Sequence, residues 1–229
     1  MKRLVLAGRI GSKYEAAARA GALGVLVIHE RDRVLRLVGG DLRRTTDALN
    51  DAARRIGQGL LNRGLSAERP VLILSENDLE HALLALGCLY AGVAFCPTSP
   101  AYSLISQDFD KLKHVIKTLT PGMVFASDAL RYSRAMLATV AEDVELVTTN
   151  GTIPGRDTTS FGALMATEPT PAVDAAMAAT GPDTIAKFLF TSGSTKAPKG
   201  VVNTHRMLCA NQQMLRQCLP FLAEPTEDG

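Results

Sequence analysis

From about residue 41 onward, apolar positions follow two alternating periods. Leu49, Ala52, Ala53, Ile56 and Leu60 recur at helical spacing and mark one buried stripe, with Gly64 as a natural stop. After Pro70, Val71 to Leu74 form a short apolar run bounded by polar residues, as expected of a strand buried on both faces. A second helix is predicted from Leu79 to Ala91, stopped by Gly92, and a strand from Val93 to Cys96, closed by the turn CPTSP. Phe109, Leu112, Ile116 and Leu119 give another helical stripe, whose other face carries Lys111, Lys113, His114 and Lys117 and is expected to be solvated. Met123 to Ala126 reads as a strand, Leu130 to Val140 as a helix and Val144 to Val147 as a strand.

Strand and helix alternating in this way predict an α/β fold with a largely parallel sheet and flanking helices. Thr148 to Pro182 is rich in Thr, Pro, Gly and Ala and reads as a connecting segment with one short helix near Phe161 to Met165. No internal repeat is evident.

Composition narrows the function classes. The chain has 229 residues, 46% of them apolar, which excludes a disordered protein and is enough for a sizeable core. Its 25 basic and 23 acidic residues leave a net charge of +2, so no general field attracts nucleic acid or anionic lipid, and any anion site must be local. Cys88, Cys96, Cys209 and Cys218 lack metal-ligand spacing and sit among apolar neighbours; all four are expected to be buried, reduced thiols. No apolar stretch approaches the roughly 20 residues of a membrane span, and the apolar run before Arg9 is too short for a signal peptide. A cytoplasmic setting without nucleic-acid or membrane partners is the expectation. The paired acids Asp108 and Asp110, and Glu142 and Asp143, read as helix-end and surface charges. Phe95 and Tyr102 read as packing residues.

One segment carries chemistry. An apolar strand from Ile185 runs into Thr191-Ser192-Gly193-Ser194-Thr195 and then into Ala197-Pro198-Lys199-Gly200. Glycine frees backbone N–H groups to converge on an anion, hydroxyls donate further hydrogen bonds, and a lysine adds positive charge, a combination suited to phosphate. It is not the GxxxxGK[ST] nucleotide loop, because Pro198 and Gly200 stand where that motif needs glycine and a hydroxyl. Val201 and Val202 suggest that the loop joins two strands. A helix follows, with Thr204 as N-cap and Met207, Ala210, Met214 and Cys218 on one face. His205 is expected to make a structural hydrogen bond at the helix start.

TSGST followed by PKG resembles the phosphate loop of the AMP-forming adenylating enzymes, a family of acyl- and aryl-CoA synthetases, nonribosomal adenylation domains and luciferases. The segment from Glu76 to Ser103 is similar to the family's early helix and the turn after it. QDFDKLKHV and NTHRMLCANQQM look most like feruloyl-CoA synthetases and related aryl-acid ligases. The resemblance covers roughly residues 41 to 222. It implies the first part of the family's large N-terminal domain, an aromatic carboxylic acid activated as acyl-AMP, and ATP, Mg²⁺ and CoA as the other reactants. It places Thr191, Ser192, Gly193, Ser194, Thr195 and Gly200 around the β- and γ-phosphates, with Lys199 neutralising the departing pyrophosphate. Lys196 departs from the pattern, since many members have glycine there.

Residues 1 to 40 form an atypical segment ahead of the adenylating stretch at 41 to 229, and read as strand, helix, strand. Gly8 and Gly11 fit a dinucleotide-binding fingerprint, but Leu6 occupies its first glycine position. KYEAAARAGALGVLVIHE is similar to part of the protease-associated domain of some aminopeptidases and contains no metal ligands. The family's aromatic-Gly-x-Thr-Glu segment and its later motifs are not found among the 229 residues. The expectation is therefore an N-terminal fragment of a ligase that does not complete the reaction alone. The rivals are an inactive product of a truncated or fused gene retaining only the phosphate loop, and a dinucleotide-binding module in residues 1 to 40.

Overall fold

The computed structural model describes residues 3–6, 22–26, 42–191 and 197–218. Ahead of the main body, β1 (Arg3–Leu6) and β2 (Ala22–Leu26) pair in parallel as a two-stranded sheet. The helix expected between them lies outside the described residues.

The main body follows the predicted alternation. The elements, in chain order, are α1 (Leu42–Leu61), β3 (Val71–Leu74), α2 (Leu79–Ala91), β4 (Phe95–Pro97), α3 (Ala101–Leu104), α4 (Asp110–Leu119), β5 (Met123–Asp128), α5 (Ala129–Thr139), β6 (Glu145–Asn150), β7 (Thr159–Ser160), α6 (Phe161–Met165), α7 (Pro171–Ala179), β8 (Ile185–Thr191), β9 (Lys199–Thr204) and α8 (His205–Cys218). The sheet order is β7-β6-β5-β3-β4-β8-β9; every pairing is parallel except that of β8 with β9.

Burial on both faces explains the continuous apolar strands. Val71 and Ile73 of β3, with Met123 and Phe125 of β5, meet Ile56, Leu60, Leu84, Cys88 and Val173 from α1, α2 and α7. The alternate residues Leu72, Leu74, Val124 and Ala126 face Leu112, Val115, Tyr132 and Met136 from α4 and α5. Each fully buried side chain of this size contributes about 1.5–3 kcal/mol of transfer free energy, and the two layers fix the sheet between helices.

Local signals set the helix ends. Asp78 accepts the His81 N–H to open α2, and Gly92 closes it in the left-handed conformation with φ 66°. Asp128 accepts the Arg131 N–H at the start of α5. The Thr148–Pro182 segment is more structured than its composition suggests. Beside the expected α6 it contains α7, opened by the Thr170 hydroxyl on the Ala172 N–H with Pro171 in the first turn. Gln58 Oε1 also accepts from the Thr170 N–H at 3.0 Å and from its hydroxyl at 2.7 Å, fastening α7 to α1.

The topology also locates where a ligand would be met. From β3 the chain steps to β4 on one side, then crosses back to β5 and β6 on the other, so the strand order reverses between β3 and β5. Open α/β sheets bind ligands outside the carboxyl ends of their strands near such a reversal. Because β8 lies parallel to β4, the loop leaving β8 opens on that same edge.

Candidate functional site

The loop expected to hold phosphate joins two antiparallel strands. Thr191 pairs with Lys199, Phe190 with Gly200, Leu189 with Val201 and Phe188 with Val202. Seven residues, 192 to 198, therefore span the hairpin between Thr191 and Lys199. Thr191, Lys199 and Gly200 are exposed at its mouth, while Pro198 is buried. Ser192, Gly193, Ser194 and Thr195, along with Lys196, lie outside the described residues. Among the described residues Lys199 has no ion-pair partner, so its ammonium is available to an anion. Gly200 packs close to an aromatic ring: a Cβ there would come 3.3 Å from Phe190 Cζ, tighter than an ordinary contact.

Behind the hairpin, the start of α8 is tied to the turn before β8. The His205 N–H donates to the Thr184 carbonyl at 3.1 Å, and Arg206 pairs with Asp183 at 3.0 Å. The Thr204 hydroxyl accepts the Met207 N–H at 3.4 Å, so Thr204 caps the helix as expected. His205 thus makes its structural hydrogen bond at the helix start, through its backbone N–H. Its Nε2 is buried with no partner among the described residues, and burial lowers its pKa.

Two sequence expectations need correction here. His114 does not belong to a solvated face: its Nε2 lies 2.9 Å from the Pro198 carbonyl oxygen, and its ring stands edge-on to Phe190. Nothing in helical periodicity could reveal a partner 84 residues away. Cys88 and Cys96 are buried, but Cys209 and Cys218 are exposed, because α8 is exposed along nearly all of its described length. On that helix Met207 is 55% and Met214 57% exposed. Lys111, Lys113 and Lys117 are exposed as expected, although the Lys111 ammonium also lies over the Tyr102 ring at 5.5 Å. Phe95 and Tyr102 are buried packing residues. Asp108 accepts the Asp110 N–H at the start of α4, a helix-end role.

The model of the AMP-binding enzyme family matches residues 28–227. This chain belongs to the AMP-binding enzyme family. Within it, the chain is 30% identical over 199 residues to an octahydroindenyl-propanoyl:CoA ligase of Rhodococcus jostii, covering 82% of this chain and 37% of that protein. It is also 30% identical over 184 residues to a p-hydroxybenzoic acid–AMP ligase of Mycobacterium tuberculosis, covering 80% of this chain and 22% of that protein. The chain thus spans well under half the length of either relative. Among solved structures, ATP-bound MatB from Rhodopseudomonas palustris superposes with a TM-score of 0.56 at 26% identity, over 74% of this chain and 31% of that one. The α/β sheet described above is accordingly the fold of an adenylating enzyme's N-terminal region.

Among the described residues of this AMP-binding family member, no helix is long and apolar enough to cross a membrane. No group of three or more His, Cys, Asp or Glu among them could hold a metal ion. The donor set at the hairpin mouth, an ammonium and one hydroxyl, suits phosphate oxygens; a single hydroxyl beside an ammonium, with no carboxylate among the described residues there, does not make a Mg²⁺ site.

Proposed function

We propose that this chain carries the triphosphate-binding part of an ATP-dependent, AMP-forming acid–CoA ligase, with Thr191, Ser192, Gly193, Ser194, Thr195, Lys199 and Gly200 as the phosphate site. The observation that carries this reading is the hydroxyl-rich hairpin at the carboxyl edge of the parallel sheet, with Lys199 exposed and unpaired at its mouth among the described residues. In acyl-adenylate formation a carboxylate attacks the α-phosphorus, and negative charge collects on the departing pyrophosphate. Donors fixed in advance around that charge stabilise the transition state more than the ground state. Lys199 supplies a full positive charge there, and the Thr191 hydroxyl a hydrogen bond. CoA thiol then displaces AMP to give the thioester.

The acid is proposed to be aromatic, such as ferulate. The resemblance of residues 107–115 and 203–214 to aryl-acid ligases supports this, as does the p-hydroxybenzoic acid named for the mycobacterial relative. Residues 41 to 229 would form the adenylating part, working in the cytoplasm, where ATP and CoA are available.

Calorimetry with ATP, pyrophosphate and AMP tests the phosphate site. Binding that depends on the β- and γ-phosphates should make ATP and pyrophosphate at least about tenfold tighter than AMP, a gap of about 1.4 kcal/mol. AMP binding as tightly as ATP would contradict the assignment.

A further inference from the structure

The exit of the hairpin is held from outside the hairpin. Pro198 has no N–H, so its carbonyl oxygen is the only backbone group it can offer to fix its position. That oxygen lies 2.9 Å from His114 Nε2 on α4. A carbonyl can only accept, so Nε2 carries the proton and donates. The imidazole is also wedged edge-on against Phe190, the last β8 residue before Thr191, with ring centroids 6.4 Å apart at 89°. One side chain therefore touches both the strand entering the loop and the residue leaving it.

The helix that presents His114 is fixed at each end by an unusual backbone conformation. Phe109 precedes α4 with φ 56° and Thr120 follows it with φ 48°, the two non-glycine residues with positive φ among those described. Left-handed backbone is rare for a bulky side chain and persists only when its surroundings enforce it. For Phe109 the enforcing contacts are present. Its N–H donates to the Ser106 hydroxyl at 3.0 Å, and its buried ring lies under the Arg134 guanidinium at 5.3 Å. The rotation of α4, and with it the aim of His114, is set before the loop is reached.

We propose that His114 is a positioning residue for the phosphate loop. Its N–H fixes the Pro198 carbonyl and thereby the direction in which Lys199 and Gly200 leave the loop. This rests on the reading of the loop as a phosphate site, because only then does the placement of Lys199 matter to a ligand. Without the bond, the Pro198 carbonyl loses its side-chain anchor on α4, and the Lys199 ammonium samples a wider region.

His114→Gln and His114→Met test this in the full chain, since the two side chains match in length and shape while only Gln has an N–H to donate. Two readouts are needed: hydrogen exchange of the Lys199 and Gly200 amides, and pyrophosphate affinity by calorimetry. The Met variant should exchange at these amides about tenfold faster and bind pyrophosphate roughly three- to tenfold more weakly. The Gln variant should stay within about twofold of wild type in both. Unchanged exchange in β3 and β5 checks that each variant is folded. Equal exchange at Lys199 and Gly200 in the two variants would overturn the proposal. Failure of wild type to bind pyrophosphate would instead overturn the phosphate reading. The exchange contrast would still decide whether His114 fixes the loop exit.

Discussion

Arg63 and Glu145 join the end of α1 to the start of β6 by a two-pronged contact, with Nε 2.7 Å from one carboxylate oxygen and the terminal nitrogen 3.1 Å from the other. Arg63 also donates to the Gly59 carbonyl at 2.8 Å, and the Thr159 hydroxyl donates to Glu145 at 2.7 Å. Burial pushes the Glu145 carboxyl up, but the bonds from Arg63 and Thr159 outweigh it and hold the group below its ordinary value. A depressed carboxylate stabilises the fold above its unfolded pKa near 4.5 and loses that contribution as pH falls through the folded value. Glu145→Gln should therefore cost about 1–2 kcal/mol at pH 7, read by urea unfolding, with the gap from wild type narrowing below pH ~4. A gap that does not change with pH would show that charge is not its source.

His81 runs the other way. Burial lowers its pKa despite the Glu76 carbonyl and Asp78 nearby, and its Nδ1 lies 2.9 Å from the Ser75 hydroxyl. The fold thus favours the neutral ring, so stability is full above the unfolded value of 6.5 and declines as pH falls through 6.5 toward the lower folded value. His205, also lowered by burial, contributes with the same sign. Thermal unfolding of His81→Asn between pH 7 and 5 should show a shallower decline than wild type. A slope as steep as wild type would remove His81 from the account.

Between elements, the tightest constraint is the crossing of α1 and α2. A Cβ on Gly87 would lie 2.4 Å from Ile56 Cγ2 and 2.7 Å from its Cβ, and Ile56 is fully buried. Gly87→Ala should destabilise by about 1–3 kcal/mol, because the helices must separate to admit one methyl group. Gly162→Ala is the control: its nearest neighbour is the Ser160 hydroxyl at 3.7 Å, and it should be neutral or stabilising by up to about 1 kcal/mol. Chemical denaturation of the pair separates packing from backbone entropy.

The crossing was legible in the sequence only in part. The stripe through Ala52, Ile56 and Leu60 marks the face α1 buries, yet it cannot say that Gly87 is the surface it meets. The strands from Val71 and Met123 were readable because burial on both faces demands unbroken apolar runs. Helix α7 was hidden by its Thr, Pro and Ala composition, although Thr170 before Pro171 was a capping signal. For α8 the periodicity showed a face but not that Met207 and Met214 on it stand exposed. At the site, the hydroxyls, Lys199 and the strand-to-strand setting were readable from local chemistry. The hold of His114 on Pro198 was not, since it arises only when α4 packs beside the hairpin.

For the whole molecule, a seven-stranded sheet brings one hydroxyl-rich hairpin to its carboxyl edge, and a net charge of +2 leaves anion binding to that local site. Family membership and the hairpin's placement both support the proposal that phosphate is met there. The direct test is calorimetric titration of inorganic pyrophosphate into wild type and Lys199→Ala. Removing one charged donor from a phosphate typically costs about 1.5–3 kcal/mol, so the variant should bind at least about tenfold more weakly. Identical affinities in the two proteins would contradict a phosphate-binding role for this hairpin.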